Sequence, residues 1–583
     1  MRIRGLTTMV AMGALGLGAS QAGAVPPTTE QSTIGGDAGA AYSGLTTVAG
    51  WPRVVRTELA PAGSLRAKKR RSLTYFAQLT DFQLADEESP KRVEFLDLSG
   101  TPFTAAWRPE EALEPFIADQ AIRQVDAFAG ASPVLGGGNS RASMDLALTT
   151  GDSADNKQRN EVSWVVKLLE GGTLDPNSGV ESLCPSGLLS PGEAGRYTGV
   201  QDYDDYQATD AFYDPDVPTG RWAAWPRYPG LMDRAQQPFS AQGLTVPSYV
   251  AFGNHDGLTQ GNAAENAGYE AIATGCVKPF APVPLADLQP TFLATTSQQV
   301  AAVPPDPARQ TVDDAQYREL HYTGHQPDAH GFAHIDAAEA QASAGTANYY
   351  AFSPRAGVRM ISIDTVSEAG VPGPSADGNI DDPQFQWITR QLDAAEAAGE
   401  LVILFGHHPI RSLTADLPDE LAPPCTVDDL HGHDVNPGCD GDPRDSQPVH
   451  LGADLEALLL AHPHVIAYVA GHTHEHKVTP FARADGGGFW GIETSSEIDW
   501  PIQSRLLEVM DNRDGTLSIF GTLIDHGGAI STPAPGTPAA LMSASALASI
   551  GRELSFNDPQ AGGETGTGTP ADRNVELLLP DPR

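Results

Sequence analysis

Positive charge is the first thing this chain is short of: Lys and Arg number 36 against 74 Asp and Glu, a formal net charge of −38. So acidic a surface repels phosphate backbones and anionic lipid alike, which argues against a nucleic-acid-binding domain and against a polybasic membrane anchor. The acidity is spread along the chain rather than gathered in a tail, as in a solvated surface. Long apolar runs are also missing: none reaches the roughly 18 residues of a membrane span, so no span is expected. Cysteine is scarce too. Cys184, Cys276, Cys425 and Cys439 lack the spacing of a zinc ribbon, while an even number suits an oxidising compartment. Cys425 and Cys439 bracket a polar loop that a disulfide can close, which leaves Cys184 with Cys276, although three pairings are open.

What is present begins with Arg2 and Arg4, an apolar run from Leu6 to Ala19 and small residues up to Ala24. This is the pattern of a secretory signal, so residues 1–24 are expected to be cleaved and the mature chain secreted or extracytoplasmic. With 583 residues, one large α/β domain with insertions or two domains are both possible. Residues 25–71, rich in Ala, Gly, Thr and Pro and ending in "AKKRRS", read as a poorly patterned lead-in.

After it, strand-length apolar runs recur, each closed by a polar cluster: "LTYFAQLTD", "LALTTGDSADN", "VPSYVAFGNHD", "RMISIDT", "LVILFGHHP" and "VIAYVAGHTH". "LVILF" shows no polar alternation, as expected of a strand covered on both faces. Helical stretches such as "NEVSWVVKLLEGG" and "PQFQWITRQLDAAEAAG" lie between the runs, giving an α/β class with layered sheets. Two regions, about 172–248 and 277–345, break the rhythm and read as insertions over the catalytic end of a domain spanning 72–535. Residues 536–583 are expected to add a helix and a closing edge strand, "NVELLL".

The strand ends carry, in order, Asp81; Gly151-Asp152-Ser153-Ala154-Asp155-Asn156; Gly253-Asn254-His255-Asp256; Gly406-His407-His408; and Gly471-His472-Thr473-His474. Each motif is weak alone, and it is their order at successive strand ends that points to one site. Two cations roughly 3.5–4 Å apart can clamp the attacking and leaving oxygens of a phosphoryl transfer. Such a pair needs one bridging carboxylate, and imidazole, amide and carboxylate ligands suit Mn, Fe or Zn.

This order resembles the calcineurin-like metallophosphoesterase superfamily, whose motifs are D-x-H, G-D-x-x-D, G-N-H-[DE], a single His and G-H-x-H, from about Leu73 to about His476. The later "IETSSEIDWPIQSR" and "FGTLIDHGG" resemble continuations in a secreted, largely actinobacterial branch. The resemblance implies a four-layer α/β/β/α sandwich in which two divalent or trivalent transition-metal ions hydrolyse a phosphate ester through a bridging hydroxide. Carried over, Asp152 bridges, Asp81 and His474 hold the first metal, and Asn254, His407 and His472 the second. His255 faces the leaving-group oxygen, and Asp155 orients it. Monoester hydrolysis is slightly favoured over diester hydrolysis, and a metal-binding surface protein with little turnover is the reading from another class.

The departure is Gln83, which stands where the family has the His of D-x-H. Two residues beyond Asp81, it leaves a continuing strand on the same face, either as a weak amide ligand or packed beside the site. Asp86 and Glu87 read as capping or solvating the next turn. His408 and Asn156 are candidates to support the ligands or join them. The His-rich stretch His321 to His334 reads as a loop, with His330 a candidate for the substrate rim. Trp500 is either a rim wall or core, and His431 and His433 are expected to be exposed.

Overall fold

The computed structural model describes residues 25–100, 103–179, 197–202, 210–264, 267–279, 300–326, 328–368, 376–418, 442–484, 486–560 and 565–583. The proposed signal, Cys184, Cys425, Cys439, His431 and His433 lie outside the described residues. In chain order the strands are β1 (Ser32–Gly35), β2 (Thr46–Ala49), β3 (Val54–Arg56), β4 (Arg71–Leu79), β5 (Leu146–Thr150), β6 (Gly172–Leu174), β7 (Phe239–Ala241), β8 (Ser248–Ala251), β9 (Val277–Pro279), β10 (Val300–Ala302), β11 (Tyr350–Arg355), β12 (Val358–Ser362), β13 (Leu401–Phe405), β14 (Val465–Ala470), β15 (Lys477–Ala482), β16 (Gly488–Glu493), β17 (Gln503–Asp511), β18 (Thr516–Asp525) and β19 (Val575–Pro580). Seven form one sheet in the order β3-β19-β18-β17-β4-β5-β8, and six form a second in the order β11-β12-β13-β14-β16-β15. The strands that precede the candidate ligands pair in parallel, β4 with β5 and β5 with β8 in the first sheet, β13 with β14 in the second.

The run "LVILF" shows how the layers assemble. Along β13, Ile403 and Phe405 join a core shared with Tyr75, Leu148 and Leu507 of the other sheet. Val402 and Leu404 point the other way, onto Trp387 and Leu392 of the helix Asp382–Ala398 and Leu455 of the helix Gly452–Ala461. Both faces are covered, so each side chain gains about 1.5–3 kcal/mol from burial and no position tolerates a polar residue. Helices Glu114–Ala127 and Arg159–Glu170 flank the first sheet, with Ile122, Val125, Val165 and Leu169 buried against it. The fold is thus a mixed α/β sandwich of two sheets flanked by helices, as the patterning predicts.

Two expectations change. The lead-in is not unpatterned: β3 is the edge strand of the seven-stranded sheet and pairs in parallel with β19. β19, expected as an edge, is therefore interior; Leu577, Leu578 and Leu579 are all buried, the unalternated pattern of a strand covered on both faces. The His-rich stretch from His321 to His334 runs on from the end of the helix Asp314–Tyr322 and is mostly irregular, its 3-10 segment Ala329–His334 being broken by left-handed backbone at His330 and Gly331.

That stretch also removes His330 from the rim. Its ring is fully buried, edge-on to His321 with Nδ1 3.0 Å from His321 Nδ1, and His321 in turn packs against Tyr317 and Phe332, which draws both imidazoles into the core. Trp500 is core as well: 5% exposed, it packs edge-on to Phe556 with Ile34 and Leu45 around it. Residues 210–241 carry their own aromatic cluster, in which Tyr213, Trp222 and Trp225 pack towards Leu547 and Ile550 of the helix Ala544–Asn557. No helix among the described residues is long and apolar enough to cross a membrane.

Candidate metal centre

Strands β4, β5, β8, β13 and β14 deliver their following residues to one edge of the sandwich. Backbone bonds lock these exits together: Asp81 N–H donates to Gly151 O at 3.1 Å, Gln83 N–H to Asp152 O at 2.9 Å and Gly471 N–H to His407 O at 3.0 Å. Gln78 Nε2 donates to Thr150 Oγ1 and, across the two sheets, to Ala470 O at 2.9 Å. Two glycines are obligatory. Gly151 has φ 87° and a Cβ there would lie 2.7 Å from the His407 ring, while one on Gly471 would lie 2.4 Å from Asp81 Oδ2.

Five of the polar residues pay for this convergence with left-handed backbone: Asp81 (φ 53°), Gln83 (44°), Asp152 (52°), His472 (71°) and His474 (50°). Each costs on the order of 1–3 kcal/mol, and strain of this kind concentrates at functional sites. It also corrects the reason expected for Gln83. Strand geometry ends at Leu79, and Gln83 reaches the site because two left-handed residues turn the chain back, not because a strand continues.

The polar groups meet closely. Asp152, 1% exposed, places Oδ2 3.2 Å from His407 Nε2 and 3.3 Å from Gln83 Nε2. His472 Nδ1 lies 3.2 Å from both Asn254 Oδ1 and His407 Nε2. Asp81 Oδ2 accepts from the Thr80 hydroxyl at 2.6 Å, and its Oδ1 lies 3.4 Å from His474 Nε2. Gln83 Nε2 is 3.3 Å from His474 Nε2. All six ligands suggested by the sequence, and Gln83, therefore converge on one pocket.

The donor atoms are also oriented to receive a cation. His407 Nδ1 donates to Thr150 O at 2.9 Å, and His474 Nδ1 pairs with Asp499, so in the neutral rings each Nε2 lone pair faces inward. Asn254 Nδ2 donates to Gly261 O at 3.0 Å, which turns its Oδ1 to the centre. Gln83 Oε1 is buried without a partner, and a half-turn of the amide exchanges it with Nε2. Carboxylates of Asp81 and Asp152 with His407, and His407 and His472 with His408, lie close enough to share an ion. His408 is nevertheless committed elsewhere: Nε2 faces Ala376 O at 2.8 Å and Nδ1 faces Thr365 Oγ1 at 2.8 Å, so it buttresses His472 from behind.

Charge follows from these contacts. Burial alone would drive His407 and His474 neutral, but Asp152 beside His407 and Asp499 beside His474 outweigh it and raise both to about 9 in the metal-free site. Burial would likewise raise Asp152, yet the surrounding imidazoles hold it well below the usual carboxylate range. Burial and the neighbouring imidazoles push His472 down. The two raised rings stabilise the metal-free fold fully below about pH 6.5, and that contribution is lost as pH rises through about 9. A metal must displace those protons, so its affinity should climb with pH below about 9, up to tenfold per unit for each proton released. Calorimetric titration in buffers of different ionisation enthalpy measures this; a pH-independent affinity between 7 and 8 would mean that neither ring is protonated beforehand.

His255 stands apart from the ligands. Its Nδ1 is 3.1 Å from Asp155 Oδ1, and its Nε2 is turned towards Asp152 Oδ2 at 3.9 Å. Burial lowers its basicity, but Asp152 and Asp155 prevail and raise it. Asp155 is itself pinned: Oδ2 accepts from Arg92 Nε at 3.2 Å and from Asn156 Nδ2 at 2.7 Å. Asn156 thus holds Asp155 through its Nδ2. Arg92, 1% exposed, also grips Glu87 at 3.0 Å and Glu111 at 2.8 Å. Asp86 does cap its turn, Oδ1 accepting the Glu88 N–H at 3.0 Å, but it and Glu87 are buried counter-ions rather than solvated, Asp86 bonding Arg309 at 2.9 Å, because two buried guanidiniums need carboxylates beside them.

Three supporting residues escape the sequence reading. Asp499 backs His474 and is clasped by Arg108 at 2.7 Å. Arg92 fixes Asp155. Asp256, inside the G-N-H-D motif, accepts from the backbone N–H groups of Ser153, Ala154 and Gly253 at 3.0–3.1 Å and so ties the β5 and β8 exits together. Only Asp256 carries a local signal, its place in that motif.

No protein-family model matches the chain, and no curated protein matches it. Among solved structures, a dimetal phosphatase from Danio rerio is similar at 12% sequence identity and a TM-score of 0.32, over 78% of this chain and 100% of that one. A likeness of that degree says nothing of activity.

Proposed function

We propose that the mature chain is an exported, metal-dependent phosphoesterase, acting on monoesters in preference to diesters. The observation that carries this is the inward convergence of Asp81, Asp152, Asn254, His407, His472 and His474 beside an imidazole, His255, that is held for another purpose. Asp81 and His474 would hold one ion, Asn254, His407 and His472 the other, with Asp152 between them. Mn, Fe or Zn suits this mixed oxygen and nitrogen set. Bound there, the ions supply Lewis acidity that polarises a phosphoryl group and neutralises charge on its oxygens.

The chain's own groups do the rest. Asp155 holds the His255 Nδ1 proton, which leaves Nε2 facing the cleft; in the protonated ring, Nε2–H is placed to donate to the oxygen that leaves phosphorus. Arg92 keeps Asp155 anionic, and Arg92 and Asn156 together fix its position while it does so. Metal analysis coupled to hydrolysis of a chromogenic phosphomonoester and phosphodiester tests the reading, with turnover of the monoester expected to be faster.

Gln83 supports a second reading, a metal-binding surface protein with little turnover, since its amide occupies space between Asp152 and His474. Bound metal without hydrolysis of either ester, across Mn, Fe and Zn and across pH, would favour it. On the phosphoesterase reading the first position binds more weakly than the second, because an amide replaces an imidazole. Gln83→His should tighten that position by about tenfold and lower the metal excess needed for full activity. Titrating metal into stripped wild-type and variant protein decides: two equally tight positions in the wild type, unchanged in the variant, would make Gln83 a bystander.

A further inference from the structure

Behind His474 lies a second group of buried carboxylates. Oxygens of Glu110, Asp499 and Asp558 all lie within 4.8 Å of one another. Glu110 is fully buried, and Asp499 and Asp558 are each 7% exposed. Both oxygens of Glu110 and Oδ2 of Asp558 have no hydrogen-bond partner, and neither does the adjacent, fully buried Glu114 at either oxygen. An unpaired buried carboxylate is among the most costly groups a fold can carry.

Several other buried carboxylates among the described residues are compensated by a cation from within the chain. Arg92 serves Glu87, Glu111 and Asp155; Arg309 serves Asp86 and Glu88; Lys278 serves Glu94. Here the nearest guanidinium, Arg108, is spent on Asp499, with Nε to Oδ1 at 2.7 Å and Nη2 to Oδ2 at 3.1 Å. Among the described residues no Lys or Arg hydrogen-bonds to Glu110, Glu114 or Asp558. Asp558 also stands at the C-terminal end of the helix Ala544–Asn557, where the helix dipole already presents negative charge and disfavours another anion.

We propose that Glu110 and Asp558, with Asp499 completing the group from its place between Arg108 and His474, form a further cation site, adjoining the candidate metal centre but sharing none of its proposed ligands, that takes Ca2+. The ligands are all carboxylate oxygens, which select a hard cation, and Ca2+ tolerates the irregular geometry that three distant chain segments supply. The ion would staple the start of the helix Glu114–Ala127, the segment between β16 and β17, and the end of the helix Ala544–Asn557. This inference does not rest on the phosphoesterase reading.

The test uses the mature full-length protein, stripped with chelator and dialysed against Ca2+, with bound Ca2+ counted by elemental analysis and Tm followed with and without the ion. Wild type should retain one Ca2+ per chain and gain a few degrees in Tm. Asp152→Asn, which disables the candidate metal centre, should retain it equally. Glu110→Gln and Asp558→Asn should each weaken binding by tenfold or more, and the double variant should abolish it. In chelator the double variant should melt at or near the wild type, since the carboxyls it loses have no partner there, with wild type the more stable in excess Ca2+. Should the double variant not fold, the wild-type count and the two single variants decide. The proposal is overturned if wild type binds no Ca2+, if the Glu110 and Asp558 variants bind it as wild type does, if Asp152→Asn loses it, or if Ca2+ leaves the Tm gap unchanged.

Discussion

Asp152→Asn is expected to leave the protein without stoichiometric metal and to lower phosphoester hydrolysis about a thousandfold or more. Asp152 is the group on which the two halves of the pocket meet. Its Oδ2 lies 3.2 Å from His407 Nε2, and its Oδ1 accepts the His255 backbone N–H at 2.8 Å. Its carboxylate stays anionic in a buried site because the surrounding imidazoles favour that form more than burial opposes it. Asparagine keeps the shape but removes the charge, and it turns either a neutral oxygen or an NH2 group towards the His407 lone pair. Losing several kcal/mol of charge stabilisation corresponds to a factor on the order of a thousand in rate. Elemental analysis and kcat/KM on the same preparation check both parts. Wild-type metal content with wild-type activity would remove Asp152 from the centre of the site.

Asp155→Asn is expected to act differently, lowering kcat about a hundredfold while metal content stays intact. Asp155 touches none of the proposed ligands; it touches His255 at 3.1 Å and is held by Arg92 and Asn156. The carboxylate fixes the imidazole tautomer and favours the protonated ring, and positioned proton transfer contributes about 10²–10⁴ in rate. The sign of the pH effect follows. Asp155 raises His255, so the neutral asparagine lets it fall, the protonated ring is lost at lower pH, and the alkaline limb of the kcat profile moves down. Arg92 retains Glu87 and Glu111, so the fold should survive. A drop in kcat with an unmoved alkaline limb would point to a steric cause rather than to the proton on His255.

What the sequence determined by itself was the layered α/β class and the roster of polar residues at the strand ends. Both are local signals: "LVILF" states that a strand is covered on both faces, and each Gly-led motif follows such a run within two residues. The same signal, read more strictly, would have placed β19 inside its sheet, since "ELLL" alternates no better than "LVILF". Tertiary structure decided the rest. That Gln83 faces Asp152 depends on left-handed turns at Asp81 and Gln83; Asp visits that region more readily than most residues, but nothing local requires it there, and Gln has no such preference. His330 left the rim because it packs under His321 in the core, and Trp500 was settled as core by Phe556, 56 positions away. Asp499 behind His474, Arg92 behind Asp155 and Glu110 facing Asp558 join segments 25, 63 and 448 positions apart. Contacts of that range are set by how whole strands and helices stack, and neither periodicity nor motif spacing encodes which carboxylate will stand behind which cation.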